Sequence, residues 1–164
     1  MKRRDLLKGL LAGALLLTPL ARAAAHKLLA LNGALPAPND IQRVFAAGPP
    51  AAVFLYALTP EKLLGWPIKL AAENLVFIHP QQQKLPFVGR LAGRGSTVSL
   101  ETLLVLAPDV IVDVGNAGTT HRSAAQRVTQ QTGIATLQVE GLLAETPRQL
   151  REAGALLDVS DRAE

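Results

Sequence analysis

The chain contains no cysteine, and 18% of its 164 residues are charged against 49% hydrophobic. The missing cysteine excludes a disulfide scaffold and a lipid-anchoring lipobox. The apolar composition excludes a long disordered tail. No Gly-Lys-Ser/Thr closes a Walker loop, so nucleotide hydrolysis is not expected. There is no Gly-x-Ser-x-Gly elbow, and Ser96, Ser99 and Ser123 have no base signature beside them. Internal repeats and low-complexity linkers are also missing. A chain of this length can bury one core and hardly two.

The net charge of +4 and pI of about 9.9 invite a nucleic-acid reading, but the charge is unevenly placed. Residues 1–25 hold Lys2, Arg3, Arg4, Lys8 and Arg22 against Asp5, which is the whole net charge. The rest of the chain is neutral, and the case for DNA or an anionic membrane as partner falls away.

Those basic residues lead into the apolar run Gly9 to Leu17, extended by Thr18, Pro19 and Leu20 and followed by Ala21-Arg22-Ala23-Ala24-Ala25. This is the n-region, h-region and small-residue cleavage pattern of a secretory peptide. The run of about a dozen residues is too short to cross a hydrocarbon core of about 30 Å as a helix. A cleavable export signal over 1–25 is therefore expected, with no stable membrane insertion after its removal. Arg3-Arg4-Asp5-Leu6-Leu7-Lys8 looks like the twin-arginine pattern, with Lys2 where Ser or Thr is commoner, which points to a periplasmic product exported by that route in preference to the ordinary secretory one.

From Arg43 onward, short aliphatic runs alternate with helical patterns. Arg43 to Ala47 reads as a strand, and Gly48-Pro49-Pro50 leads into a helix over Ala51 to Leu58. Leu63 to Trp66 and Leu85 to Val88 read as further short strands, while Ile68 to Gln83 has no clear pattern. Ser99 is a good N-cap for the helix that follows, Thr102 takes the capping-box position, and Pro108 stops that helix. Asp109 to Val114 is the clearest strand, its β-branched run implying burial on both faces. A helix over Ser123 to Thr132 with Gly133 as its C′ residue, a strand over Ile134 to Val139, and a Thr146-capped helix over Pro147 to Leu157 complete the pattern. The fold class expected is α/β: an open, mostly parallel sheet with helices on both faces. Residues 26–164 would form a single α/β lobe.

In such a sheet the ligand crevice lies outside the carboxyl ends of the strands. Arg90 and Arg94 sit there in a glycine-rich loop, Gly89 to Ser96, and their guanidinium forks suit carboxylates, phosphates or catecholate oxygens. A solvated turn is the alternative. Trp66, the sole tryptophan, could stack on a flat ligand at a strand end or pack half-buried. His26, His79 and His121 lack the short spacings of zinc sites and read as surface histidines. Asp109 and Asp113 flank one strand, but no second carboxylate is evident to make a catalytic pair. The residues offer no enzyme.

Together, Arg43 to Leu58, Leu63-Leu-Gly-Trp66, Leu85-Pro-Phe-Val-Gly89 and above all Ser99-Leu-Glu to Pro108-Asp-Val-Ile-Val-Asp113 resemble the first lobe of the periplasmic substrate-binding proteins of ABC importers for iron-siderophore, haem and cobalamin. The resemblance implies two lobes joined by a long helix, with an iron chelate held between them and no enzymatic cofactor. By position, Pro49, Trp66, Arg90, Arg94 and Asn116 fall on cleft loops. Glu101 matches the acidic residue that docks on the permease, and as a helix N-terminal Glu it also suits the macrodipole. The family runs to about twice this length, so the second lobe is expected to be absent and the product truncated. One lobe alone would leave a ligand solvated on one side. The same architecture could instead serve zinc or manganese if His79 and His121 converged, or the chain could be an inactive fragment needing a separately encoded partner.

Overall fold

The β-branched run Val110-Ile111-Val112 lies inside a four-stranded sheet and is buried on both faces. The computed structural model describes residues 28–91, 97–115 and 119–164. The expected export signal, His26, Arg94 and Asn116 lie outside the described residues. In chain order the elements are β1 (Leu29–Asn32), β2 (Val44–Ala46), α1 (Pro49–Leu58), α2 (Pro80–Gln83), α3 (Leu100–Leu106), β3 (Val110–Val114), α4 (Thr119–Thr132), β4 (Ala135–Val139) and α5 (Thr146–Leu156), with short 3-10 turns between some of them.

The sheet order is β1-β4-β3-β2. β2 pairs parallel with β3 and β3 parallel with β4, while β1 runs antiparallel along β4. Strand side chains alternate between faces. Val44, Ala46, Val110, Val112, Leu137 and Val139 therefore meet α1 and α5 on one side, where Leu55, Leu58, Ala153 and Leu157 are buried. On the other side Phe45 and Ile111 meet Leu103 of α3 and Val128 of α4. Helices on both faces explain why the strand residues read as continuous apolar runs and not as alternating ones. The architecture is the open, mostly parallel α/β sheet expected from the sequence.

Local chemistry sets the helix ends. The Ser99 hydroxyl accepts the Thr102 amide at 3.1 Å, capping α3. That helix ends on Ala107 in the left-handed region, just before Pro108. Asp109 then fastens the start of β3: its Oδ2 accepts the amides of Gln42 and Arg43, both at 2.8 Å.

Several expectations require correction. Leu63 to Trp66 and Leu85 to Val88 do not form strands; each contributes single parallel bridges, Val44 to Leu63 and Trp66 to Phe87. Pro67 and Pro86 have no amide to continue a ladder. The two segments nevertheless lie close, because a Cβ on Gly65 would stand 2.5 Å from Val88 Cγ1 and 2.6 Å from the Pro86 oxygen. The pattern-poor stretch 68–83 holds a 3-10 helix over Ala72–Phe77 and then α2. α4 starts four residues earlier than expected, at Thr119. Thr146 is the first residue of α5 and not its cap, and its hydroxyl donates back to the Leu142 carbonyl. β1 was not anticipated.

Candidate functional site

Parallel pairing brings the carboxyl ends of β2, β3 and β4 to one edge of the sheet. The loops that leave them are bonded together. Ala47 donates to the Val112 carbonyl at 2.8 Å, Leu91 to the Ala47 carbonyl at 2.9 Å, and Gly115 to the Val139 carbonyl at 3.0 Å. Gly141 has φ +69°, and a Cβ there would meet Gly115 Cα at 2.9 Å, so the loops after β3 and β4 touch. The antiparallel β1 begins at the same edge, where Glu140 donates to the Leu28 carbonyl at 2.9 Å. The strand-end loops thus form one continuous rim.

Two of the sequence-selected residues are on or beside this rim. Pro49 opens α1 directly after the β2 loop and is partly buried. Arg90, also partly exposed, has its backbone clamped by Thr97: its amide donates to Thr97 Oγ1 at 3.0 Å and its carbonyl accepts the Thr97 amide at 2.9 Å. The base of the glycine-rich loop is closed by those two bonds. Trp66 does not offer its ring to a ligand. It is only 6% exposed, its indole N–H donates to the Gln82 carbonyl at 2.9 Å, and its ring centroid lies 5.8 Å from that of Tyr56. Of the two roles read from the sequence, packing is the one the structure gives it.

Glu101 is exposed on the first turn of α3. Its carboxyl is held below the usual glutamate range by its own backbone amide and by the Ser99 side chain. Leu104 and Val105, the next turn of the same helix, are exposed as well.

His79 and His121 do not converge. His79 lines a broad groove with Tyr56, Glu61 and Arg162, whereas His121 belongs to a different cavity at the strand ends. Among the described residues no group of three or more His, Cys, Asp or Glu could hold a metal ion. The zinc or manganese alternative loses the convergence it required.

What the sequence reading missed is that second cavity. It has a volume of about 220 Å³ and lies under the rim between the sheet and α4, with Ala47, Leu91, Ile111, Ala125, Asp113 and His121 in its wall. Burial pushes the Asp113 carboxyl above the usual aspartate range, against the opposing pull of His121 and the Val114 amide. The signal was present in the sequence: an acid near the carboxyl end of a β-branched strand, followed by a histidine near the start of the next helix.

A sheet of this order, clad on both faces and with its strand-end loops along one edge, is an open α/β lobe. Neither a protein-family model nor a curated protein sequence matches the chain. Solved structures do. An ABC transporter solute-binding protein from Sulfurospirillum deleyianum superposes with a TM-score of 0.66 at 22% identity, covering 79% of this chain and 40% of that one. A TroA-like periplasmic binding protein, FepB, from Veillonella parvula gives 0.57 at 24% identity, over 75% and 39%. The molybdate periplasmic binding protein MolA of Haemophilus influenzae gives 0.54 at 14% identity, over 79% and 45%. The fold is that of a single lobe of a periplasmic binding protein, and the chain spans about 40% of the length of the first of these. Among the described residues no helix is long and apolar enough to cross a membrane.

Proposed function

We propose that the chain is a ligand-binding lobe of the solute-binding component of an ABC importer, exported to the periplasm by the signal in residues 1–25 and carrying an iron chelate such as a siderophore or haem. The observation that supports this most is the continuous rim built by the loops after β2, β3 and β4. Arg90, with Arg94 from the same loop, would face the anionic oxygens of the chelate, where guanidinium forks bind best. Pro49 and Asn116 would border it. Glu101, exposed beside Leu104 and Val105, would carry the contact to the permease. The role is capture and delivery, with no catalytic step.

Because one lobe covers one side of a ligand, affinity should be modest unless a second lobe closes over it, whether from this polypeptide or a separately encoded one. The test is equilibrium dialysis of the purified chain against ferric siderophores, haem and cobalamin. Saturable binding of at least one chelate in the micromolar range is expected, weakened tenfold or more by Arg90→Ala with Arg94→Ala. If no chelate binds at high micromolar concentration, the assignment fails. Export is tested separately by fusing residues 1–25 to a reporter; replacing Arg3 and Arg4 with Lys should abolish secretion if the twin-arginine route is used.

A further inference from the structure

The cavity under the rim has a chemistry of its own. Its walls are mostly short apolar side chains, Ala47 from the end of β2 and Ala124 and Ala125 from α4, together with Leu91, Ile111 and Val128. Small residues at these positions leave the space open. Its volume is about 220 Å³. That is below the range of roughly 300–1,000 Å³ that encloses a whole drug-sized ligand. It can therefore take an arm of a ligand but not its body.

Among the described residues Asp113 is the single acid in this wall, facing the same side of the sheet as Ile111. Among the described residues no side chain donates a hydrogen bond to it. Thr136, which also lines the space, already shares its hydroxyl with Thr129 at 3.0 Å. His121 stands at the mouth, exposed to solvent. The carboxyl group, set among alanine, leucine and isoleucine with the Val114 amide and the more distant pull of His121 for support, is incompletely solvated, and a ligand group that supplies positive charge and several donors gains most there. An anionic arm would be repelled. An apolar arm would fill the space but add nothing for the acid beyond the Val114 amide and the pull of His121.

We infer that this cavity receives a protonated primary amine, so that the transported molecule carries a short ammonium-bearing arm that enters between β3 and α4 while its body rests on the rim. The second half of the inference rests on the chelate reading; the preference of the cavity for an ammonium group does not.

The two can be separated experimentally. Amide and side-chain chemical shifts of Asp113, Thr120 and His121 are followed while the full chain is titrated with n-butylammonium chloride, with sodium butyrate and butyramide as controls. Saturable shifts confined to these residues are expected with the amine alone. They should vanish in Asp113→Asn, and also in Ala124→Leu, which narrows the cavity from an exposed helix position and leaves the acid in place. Absence of saturable shifts, or equal shifts in the Asp113→Asn protein, overturns the inference. In parallel, a linear ferric trihydroxamate with a free terminal ammonium is compared with the same chelate N-acetylated. About tenfold tighter binding of the free amine, lost in Asp113→Asn, supports the full proposal. Equal binding of the two overturns the ammonium arm and leaves the chelate reading standing. Butylammonium shifts with neither chelate bound support the cavity's preference and sink the chelate reading instead.

Discussion

Lys62 Nζ lies 2.6 Å from the Leu157 carbonyl oxygen, although the lysine is only 7% exposed. Leu157 is the C-cap of α5, where carbonyl groups have no intrahelical partner and a cation is favoured. A single side chain therefore ties the turn after α1 to the end of the last helix, across 95 residues of sequence. Lys62→Met keeps the stem and removes the bond. It should lower stability by about 2 kcal/mol, the net worth of a hydrogen bond to a charged group, read as a lower urea midpoint at unchanged slope.

Asp113 makes stability depend on pH in the direction opposite to an ordinary paired acid. Its folded carboxyl holds its proton to higher pH than the unfolded one, whose reference value is 3.8. The folded state is thus favoured below that value, and the advantage is lost as pH rises through the folded carboxyl's titration. Asp113→Asn cannot ionise and should unfold at higher urea than the wild type at pH 7. The gap should close at pH values below the ordinary aspartate range. An Asn variant less stable than wild type at pH 7 would show that the ionised carboxyl is supported by its surroundings.

Trp66→Phe tests the packing role of the tryptophan. The substitution removes the bond to Gln82 and should lower stability by about 1 kcal/mol. Chelate affinity, measured by dialysis, should not change. A large loss of affinity without loss of stability would return the ring to the binding surface.

Gln149 is 2% exposed, and among the described residues its Nε2 has no hydrogen-bond partner. An unmade bond of that kind destabilises by about 1–3 kcal/mol. Gln149→Met, similar in length and apolar, should raise the midpoint of thermal unfolding. An unchanged or lower midpoint would mean that the amide is solvated in the folded protein.

The sheet was legible because its strands announce themselves by composition. Val110 to Val112 and Ala135 to Val139 are buried from both sides, and no other secondary structure suits a short β-branched run between turn residues. The cap at Ser99 and the stop at Pro108 were legible for the same local reason. β1 was not: Leu-Ala-Leu-Asn is four residues long and gains its conformation from pairing with β4, which no local pattern encodes. Leu63 to Trp66 misled in the other direction, since Leu63 and Trp66 are buried in the main core while the segment pairs only through single bridges and not a ladder. The rim followed from sheet topology alone. The Asp113 cavity did not, because it depends on where α4 begins and on how small Ala124 and Ala125 are, both set by tertiary packing.

The direction of β1 has a practical bearing on any binding measurement. Since that strand starts beside Glu140, polypeptide attached ahead of Leu28 joins the sheet at the edge where β2, β3 and β4 end. The C-terminal turn, by contrast, packs Ala163 against Gly154 near the Lys62 fastening, toward the end of the sheet where β2 begins. Bulk added ahead of Leu28 would therefore crowd the edge where β2, β3 and β4 end, whereas bulk beside Ala163 would lie toward the opposite end of the sheet.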